Sequence, residues 1–272
     1  MTPRALILSL VASIAVGSAV VARGAPGGGA PQAQGRRLLR DARNAITTRK
    51  VRALVLKGTV VSGFNGVTGA PSETPISLEI RILLPRGYLR IEQDSAILRR
   101  SGFFGTTLLN QWKPLVPNAQ VSTSFSAEQI NIEQRACAQL VLGMLAETAT
   151  AFPLEVGQDP QPSEHSVRLD GPGGSTVIMD LDETSHLPLR VRFESAVRFP
   201  RAITAEEKRA GVVPPPPKPE NAEVVLAFQN RRLVDGVALA SEVVRTARDI
   251  RFERMRFDSI VVNPALSPDD FK

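Results

Sequence analysis

Ile76-Ser77-Leu78-Glu79-Ile80-Arg81-Ile82-Leu83-Leu84, then Pro85-Arg86-Gly87, then Tyr88-Leu89-Arg90-Ile91-Glu92, is the stretch that decides the fold. Ile76, Leu78, Ile80 and Ile82 take alternate positions, with Ser77, Glu79 and Arg81 between them. A period of two is the mark of a strand with one face in a core and the other in water. Pro85-Arg86-Gly87 turns the chain, and Tyr88 to Glu92 alternates again, with Leu89 and Ile91 opposing Tyr88, Arg90 and Glu92. The two runs read as an antiparallel hairpin with Leu89 and Ile91 expected on the apolar face.

Working outward, the same signal recurs. Strands are expected at Val51 to Ser62, Ala96 to Arg100, Thr106 to Gln111, His165 to Leu169, Thr176 to Asp182, Leu187 to Ser195, Ala222 to Arg232, Val237 to Thr246 and Ile250 to Val262. Glu183-Thr184-Ser185-His186 and Asp235-Gly236 supply hairpin turns. Helical spacing appears twice. Leu38, Leu39, Ala42, Ala45 and Ile46 predict a short amphipathic helix over Gly35 to Thr48. Ile130, Glu133, Cys137, Leu140, Val141, Met144, Leu145 and Thr148 make one stripe of a second helix over Ala127 to Thr150, with Ser126 as its cap.

The ends and insertions are compositionally distinct. Arg4 precedes a charge-free run from Ala5 to Ala22, and Val20-Val21-Ala22 presents small residues for cleavage, so residues 1–22 read as an export signal cleaved after Ala22. A charge-free run of eighteen residues also lies at the lower edge of a membrane anchor, the competing reading. Residues 23–35, rich in Gly, Pro and Gln, read as a flexible linker. Residues 36–272 read as one domain, interrupted at 201–221 by a short charged helix and Pro214-Pro215-Pro216-Pro217-Lys218-Pro219, a stiff insertion or a ligand for a proline-recognising module. The expected location is the periplasm.

Composition narrows the function. The 272 residues are 43% hydrophobic and 22% charged, the balance of a chain that folds around a core. Lysine and arginine exceed aspartate and glutamate by 33 to 27, for a net charge of +6. Nucleic-acid surfaces interleave such charge with aromatics, and aromatics here are 5%, so no nucleic-acid partner is expected; peripheral contact with a membrane suits the charge equally well. One Cys and two His exclude disulfide scaffolds and Cys/His zinc sites. Cys137 lies on an apolar stripe, and no G-x-S-x-G, H-E-x-x-H or phosphate-binding loop occurs, Gly171-Pro172-Gly173-Gly174 being a turn. Asp180 and Asp182 share a strand face roughly 7 Å apart, open to a metal or acid/base reading, but a solvated outer face opposite Val177, Met179 and Leu181 is the simpler one. No catalytic residue, metal or cofactor is expected, and the chain does not read as an enzyme.

Two amphipathic helices are too few to fill a curved sheet of roughly eight to eleven strands, which predicts an apolar hollow between sheet and helices. Acyl chains suit it, gaining about 0.8 kcal/mol per buried CH₂. Leu78, Ile80, Ile82, Leu89, Ile91, Val177, Met179, Leu181, Val191 and Phe193 from strands, with Leu140, Val141, Met144 and Leu145 from the second helix, are the expected lining; the bland alternative is a filled core of the same residues.

Three segments also carry a family resemblance. Leu38-Leu39-Arg40-Asp41-Ala42-Arg43 leads into Leu56-Lys57-Gly58; Met179-Asp180-Leu181-Asp182-Glu183-Thr184-Ser185-His186-Leu187-Pro188-Leu189-Arg190 forms an acidic strand end, turn and Leu-Pro pair; Ile260-Val261-Val262-Asn263-Pro264-Ala265-Leu266-Ser267-Pro268-Asp269-Asp270-Phe271 closes the chain. In these the chain resembles the periplasmic outer-membrane lipoprotein carrier superfamily (LolA/LolB-like, related to LppX and the RseB sensor domain). The resemblance implies an α+β, mainly antiparallel fold: an unclosed curved half-barrel with helices covering the concave face. It implies a carrier that shields lipoprotein acyl chains or lipids during envelope transport, with a lipidated protein or lipid as cargo and envelope transport proteins as partners. The alternative on the same scaffold is an envelope sensor or protein-interaction module without lipid transfer.

Overall fold

Alternating side chains build one antiparallel sheet in the computed structural model, which describes residues 29–63, 72–116, 128–200, 203–210 and 217–272. The strands are β1 (Ala53–Ser62), β2 (Ile76–Leu83), β3 (Gly87–Gln93), β4 (Ile97–Phe104), β5 (Thr107–Pro114), β6 (Glu155–Val156), β7 (Ser166–Asp170), β8 (Thr176–Leu181), β9 (Pro188–Val197), β10 (Glu220–Val234), β11 (Val237–Ala247) and β12 (Ile250–Val262). Across the sheet they run β5-β4-β3-β2-β1-β12-β11-β10-β9-β8-β7-β6. Two meanders, β1–β5 and β6–β12, therefore meet where the first strand pairs with the last. β5 and β6 are the sheet's two edges, so the half-barrel is unclosed. Twelve strands exceed the expected number partly because two-residue β6 carries no periodic signal.

Among the described residues three α-helices accompany the sheet: α1 (Gly29–Ile46), α2 (Gln129–Leu145) and α3 (Ala205–Ala210). α1 begins six residues before the expected start, so the end of the segment read as a flexible linker is helical. Pro31 lies in its first turn, where a missing N–H breaks no hydrogen bond. Gln161 Nε2 donates to Pro31 O at 3.1 Å, Gln32 Nε2 donates to Val156 O at 3.2 Å, and the buried Gly35 lies against Val156, which together hold the start of α1 to β6 and the segment that follows it. α2 ends earlier than its periodicity predicts, because Ala146 turns left-handed (φ 50°) and its N–H returns to Leu142 O. Asp235 and Gly236 both take positive φ (50° and 80°), the primed turn expected between β10 and β11.

Residues 1–28, including the expected export signal, lie outside the described residues, as do Ser126, Phe64-Asn65-Gly66 and Pro214 to Pro216. Pro217 to Pro219 belong to no strand. Among the described residues no helix is long and apolar enough to cross a membrane.

Register decides which side chains enter the core, since directly paired residues share a face. Leu54 pairs with Ile82 and Leu56 with Ile80. Ile82 in turn pairs with Tyr88, Ile80 with Arg90 and Leu78 with Glu92. Tyr88, Arg90 and Glu92 thus join the inner, helix-covered face, and Leu89 and Ile91 are on the outer face, opposite to expectation. The outer face at this corner is covered by the closing turn Pro268–Phe271: Phe271 is 1% exposed and packs on Gly87 and Phe104, and Arg81, which pairs with Leu89, donates to Asp270 O at 2.8 Å. Leu89 is buried on that side.

Candidate functional site

Most of the expected lining forms a packed core. Leu78, Ile80, Ile82, Val177, Met179, Leu181 and Val191 join Leu140, Val141, Met144 and Leu145 in one contiguous buried cluster, with Phe193 half-buried beside it. The helix is the reason. From Cys137 to Leu145 every residue of α2 except Gln139 is buried, so the helix fills the trough it covers. Gly143 lets it approach closely: a Cβ there would lie 1.9 Å from Phe228 Cζ. Arg231 Nη2 donates to Gly143 O at 3.0 Å, and Arg43 Nη2 donates to Ala146 O at 3.2 Å. Both cations sit where a helix end concentrates negative partial charge. Burial pushes the Cys137 thiol up to about 12, so it is an inert apolar filler.

The other half of α2 is different. Ile132 is 53% exposed and Arg135 is exposed, and beneath them the sheet face leaves open space. Three cavities follow one another there. One, of about 260 Å³, lies between α2 and β8–β9, against Phe152, Leu154, Val177 and Phe193. The next, of about 200 Å³, is bounded by Leu140, Phe193, Leu226, Met255 and Arg245, and shares Arg135 and Gln139 with the first. The third, of about 320 Å³, shares Tyr88, Arg90, Ile132, Ala136, Arg245 and Glu253 with the second, and adds Glu92, Arg99, Ser101 and Glu133. Of the expected lining residues, Val177, Phe193 and Leu140 border these spaces.

The third cavity is walled by charge. Arg90 contacts both Glu92 and Glu253, its Nε donating to Glu92 Oε1 at 2.8 Å. Burial pushes the Glu253 carboxyl up, and the Arg90 guanidinium more than reverses this, leaving it below the usual carboxylate range. Arg99 ion-pairs with Glu92 at 3.6 Å and stacks over Trp112 with its guanidinium carbon 5.0 Å from the ring centre, while its Nε is buried without a hydrogen-bond partner. Burial raises the Glu133 carboxyl above its ordinary value, although Gln129 Nε2 donates to it at 3.2 Å. Burial likewise raises the Tyr88 hydroxyl.

Sequence reasoning missed this cluster. Its visible signal was Arg90-Ile91-Glu92, charges at alternate positions beside an apolar strand, which reads equally well as a solvated face.

Asp180 also departs from expectation. It is buried on the outer face rather than solvated there, accepting from Arg190 Nε at 2.5 Å, Arg192 Nε at 2.8 Å and Ser166 Oγ at 2.7 Å. Asp182 is half-buried and caps the following turn, accepting from Thr184 N and Ser185 N. Among the described residues no cluster of three or more His, Cys, Asp or Glu could hold a metal ion.

No family model matches the chain, and no curated protein matches it. Solved structures do. The chain is similar to a LolA superfamily protein from Nitrosomonas europaea, at 8% identity over 88% of this chain and 97% of that one, with a TM-score of 0.46. It is similar to a DUF1329 family protein from Desulfovibrio piger at 10% identity over 89% and 97%, with a TM-score of 0.47.

Proposed function

We propose that the protein is an exported carrier that shields the acyl chains of lipids or lipidated proteins during envelope transport. The observation that carries this reading is the asymmetry of α2. Its C-terminal half is held against the sheet by Gly143 and Arg231 and tied to α1 by Arg43, while its N-terminal half stands over three adjoining cavities. Ligand sites usually occupy about 300–1,000 Å³; the first two cavities, about 260 and 200 Å³, fall below this singly, so a tail in the apolar end needs both. Arg135 and Gln139 stand between the first two, and Arg135 is an exposed side chain whose guanidinium carbon lies 5.4 Å from the centre of the Phe152 ring. Loading is thus a matter of turning aside rim side chains and lifting one half-helix, with the other half as the hinge. Each CH₂ moved from water into the apolar end gains about 0.8 kcal/mol.

Purified protein should take up a fluorescent acyl probe and release copurifying lipid on solvent extraction. Ala136→Trp, which places a ring in the second and third cavities, should reduce uptake while the far-ultraviolet circular dichroism is retained. Wild-type protein that takes up no probe and yields no lipid is not a carrier.

A further inference from the structure

The three cavities under α2 are graded in chemistry. Phe152, Leu154, Val177 and Phe193 wall the first, and Arg90, Arg99, Arg245, Glu92, Glu133 and Glu253 the third. The cations of the third are not equally engaged. Arg90 is committed to Glu92 and Glu253. Arg245 is half-buried and projects from β11 opposite Glu253; its charge lowers the Glu253 carboxyl, yet no carboxylate among the described residues lies within ion-pairing distance of it. It borders both the second and third cavities. Arg99 holds one long ion pair and an unused, buried Nε donor. A guanidinium taken partly out of water without an acceptor is unfavourable unless something supplies one.

Resting on the carrier reading above, we infer that the cargo is a single-tailed anionic amphiphile, a carboxylate or phosphate headgroup seated between Arg245 and Arg99 and its tail running toward Phe193 and Val177. The headgroup supplies the acceptor that Arg245 and the Arg99 Nε lack. Planar guanidinium groups bind carboxylate and phosphate oxygens with paired hydrogen bonds, which a neutral headgroup forms weakly. Glu92, Glu133 and Glu253 share the same cavity and oppose any second anionic group, which favours one headgroup charge centre over a polyanion. Trp112, the single tryptophan of the chain, lies over Arg99 and reports on that end alone.

The test is calorimetric titration of the full chain with dodecyl phosphate, dodecanol and inorganic phosphate, each below any micelle-forming concentration, with Trp112 emission followed in parallel. Dodecyl phosphate should bind at least about tenfold more tightly than dodecanol and change Trp112 emission. Arg245→Gln and Arg99→Gln should each remove most of that preference. Dodecyl phosphate and dodecanol binding alike, with both variants behaving as wild type, overturns the headgroup assignment and leaves the carrier reading standing. Inorganic phosphate binding as tightly as dodecyl phosphate overturns the amphiphile, because the tail then contributes nothing. Failure of both tailed probes to bind overturns the carrier reading itself.

Discussion

Arg90 on β3 and Glu253 on β12 are in contact, although β2 and β1 lie between their strands. Three strand spacings of about 4.8 Å would put these backbones roughly 14 Å apart in a flat sheet. The pair closes that distance on the inner face only because the sheet curls toward it there. Arg90 also holds Glu92, so one guanidinium neutralises two carboxylates in a buried setting.

Arg90→Met should therefore destabilise the fold by about 3–5 kcal/mol, since it strands two buried carboxylates. The double variant Arg90→Met/Glu253→Leu should recover a large part of the loss, because an apolar pair removes the buried charge of Glu253 as well as its partner. A double-mutant cycle in urea measures both. Equal stability of wild type and Arg90→Met would mean that the contact contributes nothing.

Acid should weaken the same region. The folded Glu253 carboxyl lies below its unfolded value of about 4.3. Its contribution is thus present above that pH and is lost as the pH falls through the folded value. Glu133 has the opposite sign. Its folded carboxyl lies above the unfolded value, so the fold loses stability as the pH rises from about 4.3 through the raised value, and stays so at neutral pH. Glu133→Gln, which keeps an acceptor for Gln129, should raise the urea midpoint at pH 7 and give no gain below pH 4. A variant less stable than wild type at pH 7 would show that Arg90 and Arg99 hold Glu133 in its charged form.

Gly143→Ala should cost about 1–3 kcal/mol, because the ring of Phe228 occupies the space a Cβ needs. Phe228→Leu in the same chain should reduce the penalty. If α2 instead separates freely from the sheet along its whole length, Gly143→Ala will be neutral in thermal melts, and the pinned-hinge picture of loading fails with it.

Phe271→Ala should destabilise by about 3–5 kcal/mol, as expected for an aromatic 1% exposed. Hydrogen exchange should show the loss concentrated in β3 and β4, the strands against which the closing turn packs.

How far the sequence could be read depended on how many residues each decision needed. Ile76, Leu78, Ile80 and Ile82 give four alternating apolar positions, and β2 buries Leu78, Ile80 and Ile82 as that pattern predicts. In β3 only Leu89 and Ile91 stood against Tyr88, and both faces are covered in the fold, one by α2 and one by Phe271. Local alternation cannot choose between two buried faces; the pairing of Ile82 with Tyr88 does. The helical period of α2 identified the residues that reach the sheet. Whether they leave a hollow depended on how near the helix comes, and that was set by Gly143, whose part in the approach no periodicity reveals. The charged wall of the third cavity was illegible for a related reason: Arg90, Arg99, Arg245 and Glu253 come from four strands whose neighbourhood exists only after the sheet has curled.

The junction of the two meanders carries one more consequence. β12 is the last strand in chain order and the one that joins β1 to β11, with Gly58 permitting the close approach of Arg256 at the bulge between them. Until that strand is available, the early and late arrays have no shared seam and neither can complete its curl. β1 and β11 are each left with an unpaired edge until β12 docks between them, and an open edge of that kind is a template for pairing with another chain, so the order of pairing bears on aggregation as well as on shape.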